Sequence, residues 1–228
     1  MIRLVFFPLL LTASIMNAQD QLRLHMVQGN LNYNPAGTTK TFAIDSVLYI
    51  NYQMPSRTSA GVGWFCFNDR QFSMVEISNV SVGNVYNGQL ADVPNLGPMI
   101  RTFQASAALR FEYGTTLTKT DSRCKFLVSA AVRPFFNHAS TTSYVSNIFP
   151  TRFTQIGISG ELIPRLLLRL SPRFLLDLNA PFALITADYS RFNFASPAIQ
   201  PGSQTSELFE FSTNIDRIGV RLGIAFQI

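Results

Sequence analysis

The chain has 228 residues, of which 47% are hydrophobic and only 14% charged, and it carries a net charge of +5. A soluble domain has about a quarter of its residues charged, yet no apolar run here approaches the ~20 residues a membrane helix needs. That combination points away from a helical membrane protein and leaves alternating strands as the route into lipid. The arginines form no basic run, which argues against a nucleic-acid partner.

Residues 1–18 read as a secretory leader: Arg3 supplies the positive start, Leu4 to Leu11 the apolar stretch, and Asn17-Ala18 the cleavage end before Gln19. Residues 19–228 then form one barrel domain, since no composition break divides them. Export permits a disulfide. The topology expected below nevertheless places Cys66 well up one strand and Cys124 near the bottom of another, so two free thiols are predicted.

Gln21 to Asn32 is the first predicted strand, ended by the turn residues Asn34-Pro35-Ala36-Gly37. Three hairpins follow, each opening near a Thr-Phe or Arg-Phe pair at Thr41-Phe42, Thr102-Phe103 and Arg152-Phe153. The first descends from Phe42 to Tyr52, turns at Met54 to Thr58 and returns through Ala60 to Phe67. The second runs from Arg101 to Tyr113 and back through Lys125 to Asn137. The third runs from Phe153 to Leu170 and, after Ser171-Pro172-Arg173, returns through Phe174 to Tyr189. A three-residue loop there sets Leu168 opposite Leu176 and Leu166 opposite Leu178 on the lipid side, whereas a two-residue loop would put Asp177 and Asn179 in hydrocarbon.

In the final stretch, Ile218, Val220, Leu222, Ile224, Phe226 and Ile228 share one parity. Arg217, Gly219, Arg221, Gly223, Ala225 and Gln227 share the other. Such a strand is an aggregating edge unless another strand pairs with it, and barrel closure provides the partner. The expected fold is therefore all-β: an eight-stranded antiparallel up-and-down transmembrane barrel. Gln71 to Val85, within the long connection 68–99, is read either as a strand extension above the membrane or as a further hairpin, which would give ten strands. The other long connections are 30–39, 138–151 and 190–208, opposite the short turns.

The repeated hairpins, the Leu170 to Leu178 turn region and the final strand resemble the small outer-membrane β-barrel family, with the architecture of the transmembrane domain of outer membrane protein A. The resemblance implies a Gram-negative-type outer membrane, insertion by the barrel-assembly machinery, and contact with outer-membrane lipid. Members of such families serve as anchors, adhesins, channels or enzymes, so the fold does not supply the function.

Parity places Asp45, Arg110, Glu112, Arg133, Glu161, Arg165, Arg169, Asp177, Arg217 and Arg221 in the lumen, where charges need partners. Asp177 is expected between Arg165 and Arg169, and Glu112 near Lys125. Gly157, Ser159, Ala108, Ser106, Gly61 and Gly63 suit a crowded interior. Aromatics that mostly share the outward parity, among them Trp64, Phe103, Phe126, Phe136, Phe153 and Phe226, suit a membrane-interface girdle.

The reading is a non-enzymatic structural or surface-interaction protein with a plugged polar lumen, whose long loops meet an extracellular or envelope protein. An anion-permeable pore lined by excess arginine is the first alternative. A lipid A-modifying enzyme using His138 or His25 with a nearby hydroxyl such as Ser140 or Thr141 is the second. A soluble lipocalin-like carrier is the third. No cofactor or metal site is indicated by residue spacing.

Overall fold

The computed structural model describes residues 24–34, 38–43, 49–54, 57–68, 70–87, 100–118, 123–143, 150–195, 204–213 and 217–227. The predicted leader 1–18 and Asp45 lie outside them. The strands in chain order are β1 (Leu24–Asn34), β2 (Thr38–Ala43), β3 (Tyr49–Met54), β4 (Arg57–Asn68), β5 (Gln71–Asn87), β6 (Ile100–Thr116), β7 (Cys124–Ser143), β8 (Thr151–Arg169), β9 (Phe174–Asn179), β10 (Phe182–Phe194), β11 (Thr205–Ser212), β12 (Arg217–Ile218) and β13 (Val220–Gln227).

Eight staves close a single antiparallel barrel. β9 and β10 make one stave, interrupted at Ala180-Pro181, where proline has no N–H for the ladder. β11, β12 and β13 make the stave paired with it, in registers such as Asn193↔Thr205, Ala183↔Arg217 and Phe226↔Phe174. Closure runs through β1 and β13, from Met26↔Gln227 to Tyr33↔Val220. The terminal strand thus pairs on both sides, as its apolar parity requires. The three-residue loop at Ser171 to Arg173 is also found, with Leu168↔Leu176 and Leu166↔Leu178 opposed.

The first predicted hairpin is not found. β2 and β3 pair only with each other, from Thr38↔Met54 to Ala43↔Tyr49, in a separate two-stranded sheet. β1 pairs directly with β4, so Ala60 to Phe67 runs down towards the short turns. Gln71–Asn87 is neither a loop nor an extra hairpin. It is a stave, joined to β4 by the tight connection Asn68↔Gln71 and paired along its length with β6. Asn68-Asp69 is turn chemistry, and the alternation of Phe72, Met74, Glu76 and Ser78 against Val75 and Ile77 is cleaner than anything in Phe42 to Tyr52. The count of eight therefore holds with a different membership.

β5 contains a bulge between Ser78 and Ser81, where Asn79 has φ 54°, a left-handed conformation that asparagine tolerates. The inward parity switches there, from even positions through Ser78 to Ser81 above it. The pairing of β4 with β5 ends at Val62↔Ile77, just below the bulge.

The two faces differ as a bilayer demands. Val62, Trp64, Val75, Ile77, Leu109, Phe126, Val132, Ile156, Ile158, Leu162, Leu222, Ile224 and Phe226 all stand exposed on the outer wall. A water-soluble monomer rarely exposes an apolar patch above a few hundred Å². The interior is filled by small residues beside large ones: a Cβ at Gly61 would meet Glu76 Oε1 at 2.6 Å, and one at Gly63 would meet Met74 Cε at 2.6 Å. Phe153 is a correction to the girdle, since it is buried in the lumen beside its cross-strand partner Phe192.

The staves β7 and β8, of 20 and 19 residues, exceed the ~10 that span a bilayer. They carry the wall beyond the membrane at the end opposite the short turns.

Candidate functional site

The lumen is stacked in layers along the barrel axis. Nearest the short turns, Phe65, Phe67, Phe72, Met74, Leu127, Leu167 and Ala225 form a buried apolar cluster with Leu175 against it. Each projects inward from the lower end of its stave, so the cluster fills the barrel floor.

Above it lies a first ionic group centred on Arg165. Its Nη2 donates to Glu112 Oε1 and Oε2 at 2.8 and 2.7 Å, and its Nη1 to Asp177 Oδ2. The guanidinium also rests on the Phe72 ring, 4.5 Å from its centroid, which joins this layer to the apolar floor. Asp177 Oδ2 further accepts from Gln28 Nε2 and, at 3.0 Å, from Asn179 Nδ2. Ser129 donates to Glu112.

A second group follows around Glu76 and Glu161. Glu76 Oε2 accepts from Arg221 Nη2 and, at 3.3 Å, from Arg110 Nη1. Arg110 Nη2 reaches Glu161 Oε2 at 2.8 Å, and Arg133 Nε reaches Glu161 Oε1 at 2.8 Å. The Glu76 to Arg221 contact crosses the lumen from β5 to β13, so the layer is a strut as well as a filling.

Seven of the predicted lumen residues meet in these two groups: Arg110, Glu112, Arg133, Glu161, Arg165, Asp177 and Arg221. Arg169 does not join them; it is exposed at the end of β8, beyond the floor cluster. The backbone of Arg217 pairs with Ala183, but its side chain lies outside the described residues, as does all of Asp45. Glu112 is served by Arg165 and Ser129, while Lys125 Nζ stands 4.3 Å from the centroid of the Phe67 ring.

Glu76, Gln28 and Asn179 are members that the sequence reading missed. Glu76 is hidden when 68–99 is read as a loop, although its alternation with Met74 and Ser78 marks it as inward. Its inclusion changes the electrostatics: Arg110, Arg133, Arg165 and Arg221 face Glu76, Glu112, Glu161 and Asp177, four charges of each sign. The excess of arginine expected from sequence is absent from this network.

The two cysteines form no disulfide. The expected reason needs correction, because β4 runs downward and Cys66 lies near the short turns, as Cys124 does. They stand on separate staves, Cys66 opposite Ser73 and Cys124 opposite Leu168. His138 is on the outer wall, where its Nδ1 is 3.0 Å from Thr154 Oγ1 and its ring lies between those of Phe103 and Phe136, with centroids 6.3 and 6.5 Å away. Ser140 shares that wall but Thr141 points the other way. The His25 side chain lies outside the described residues.

A closed barrel with an apolar wall and a polar, ion-paired lumen defines an outer-membrane-type β-barrel protein. Among solved structures, the chain is similar to a major outer membrane protein of Thermus thermophilus, with TM-score 0.53 and 9% identity over 91% of this chain and all of that one. It is also similar to the outer membrane protein OprG of Pseudomonas aeruginosa, with TM-score 0.53 and 13% identity over 91% of this chain and 96% of that one. At such identities the likeness is one of fold: the chain has the fold of the small outer-membrane β-barrels. No protein-family model matches it, and no curated protein sequence does.

Proposed function

We propose that the protein resides in an outer membrane, conducts no solute through its lumen, catalyses no reaction, and serves as a surface-interaction or structural element through its outer loops. The observation that carries this reading is the pair of charge-balanced layers above an apolar floor. A continuous wet path favouring anions needs unpaired cationic lining, and the guanidinium groups of these layers are engaged by carboxylates. Against a lipid-modifying hydrolase stands the engagement of His138 with Thr154, with no carboxylate bonded to that ring among the described residues. The partner would be an extracellular or envelope protein.

β2 and β3 lie between the upper ends of β1 and β4, at the loop end. Among the described residues the hairpin hydrogen-bonds only within itself, and β2 lies against β11, which places it among the outer loops where a partner would meet the barrel. A peptide tag inserted between Ala43 and Tyr49 is expected to bind its antibody on intact cells. Labelling only after the outer membrane is permeabilised would invert the orientation and remove the surface role.

A further inference from the structure

The outer wall at the loop end carries a polar cluster that the lumen does not explain. On β7, β8 and β10, cross-strand register sets His138 opposite Thr154 and Thr154 opposite Arg191, while Arg152 is opposite Ser140 and Asn193. Arg152 and Arg191 are therefore diagonal neighbours, ~7–8 Å apart at the backbone, with His138 completing a triangle around Thr154. All three share the outward parity of Phe136 and Ile156.

Directly below, on the same face, stand Phe136, Ile156, Tyr189 and Phe209 in one row, each exposed, with Phe103 level with Arg152 beside them. The cluster thus sits where the apolar wall gives way to the polar surface, at the depth of lipid headgroups. Arg152 is exposed, and the Arg191 side chain is 58% exposed. Glu207 is the acid that faces them. It is 3.7 Å from Arg191 Nε, a contact that steadies Arg191 on the wall while its side chain stays largely exposed.

We propose that Arg152, Arg191 and His138 form a docking site for the phosphate groups of an anionic lipid of the outer leaflet. Two guanidinium forks can each take a phosphate bidentately, His138 and Thr154 add polar contacts, and the acyl chains lie on the aromatic band below. This rests on the outer-membrane reading above.

The test uses the full chain folded in a zwitterionic detergent and titrated with bisphosphorylated lipid A, complexes being counted by native mass spectrometry. Folding is verified first by heat-modifiable gel mobility; failure at that step removes the membrane reading itself, while a difference in lipid binding addresses the site alone. The unaltered protein is expected to bind the phosphorylated lipid more tightly than the same lipid stripped of phosphate. The double variant Arg152→Gln/Arg191→Gln is expected to lose about 25-fold in affinity, about fivefold for each arginine at a membrane surface. Arg169→Gln/Arg173→Gln, at the opposite end, should bind as the unaltered protein does. Equal binding of phosphorylated and stripped lipid by the unaltered protein would overturn the proposal whatever the variants do. Unchanged affinity in the Arg152→Gln/Arg191→Gln variant would do the same, and displacement of the lipid by millimolar inorganic phosphate would assign the site to a free anion.

Discussion

Replacing Arg165 by methionine is expected to lower the unfolding free energy by about 3–5 kcal/mol, the cost of leaving buried carboxylates without their cation. Arg165 holds Glu112 and Asp177 together, and all three are buried. The chain has a single tryptophan, Trp64, which stands on the outer wall and reports the transfer of that wall from lipid or detergent to water. Urea titration followed by its fluorescence measures the loss. Combining Arg165→Met with Glu112→Gln and Asp177→Asn removes the stranded charges, so the triple variant should recover much of the stability. A single variant within about 1 kcal/mol of the unaltered protein would show that Arg165 does not bind the lower layer together.

The second large effect belongs to the wall. Ile158 lies near the middle of β8, is about half exposed and faces outward, while its neighbour Ser159 is buried in the lumen. Ile158→Arg is expected to cost about 2–4 kcal/mol, the penalty for arginine on the lipid face near the bilayer midplane. Among the described residues Ser159 makes long hydrogen bonds, 3.4 Å each, with Arg133 and Glu161, so Ser159→Ala should cost about 1 kcal/mol. Refolding yields and urea midpoints in vesicles give both values. If the order were reversed, the inward and outward faces would have to be exchanged.

Much of this architecture can be read from alternation, because period two sorts side chains onto lipid and lumen wherever a stave is regular. β13, the hairpin of β6 and β7 and the Ser171 to Arg173 turn are such places, and there even the register is legible: placing Asp177 in hydrocarbon is costly enough to choose the loop length. Alternation fails where the ladder is irregular. The Asn79 bulge reverses parity within β5 and breaks the pattern of the region 68–99. The weaker pattern in Phe42 to Tyr52 then takes its place, and the direction of β4 is inverted with it.

The site suffers from the same cause. Parity identifies seven lumen charges on regular staves, but Glu76 is lost with its strand, and without it the lumen looks cationic. Arg169 has the inward parity yet ends beyond the apolar floor, because parity gives the face of a stave and not the height along it. Partners across the lumen, such as Arg221 for Glu76, depend on how the barrel closes. Sequence spacing carries no trace of them.

Planar-bilayer recording of the purified protein is the most direct test of a lumen shut by balanced charge. A lumen shut by paired charges above a packed apolar floor predicts a flat trace for the unaltered protein, and a flat trace still for Glu76→Ala, since Arg110 keeps Glu161 and the floor stays filled. Stable, anion-selective steps from the unaltered protein would contradict it and make the barrel a pore.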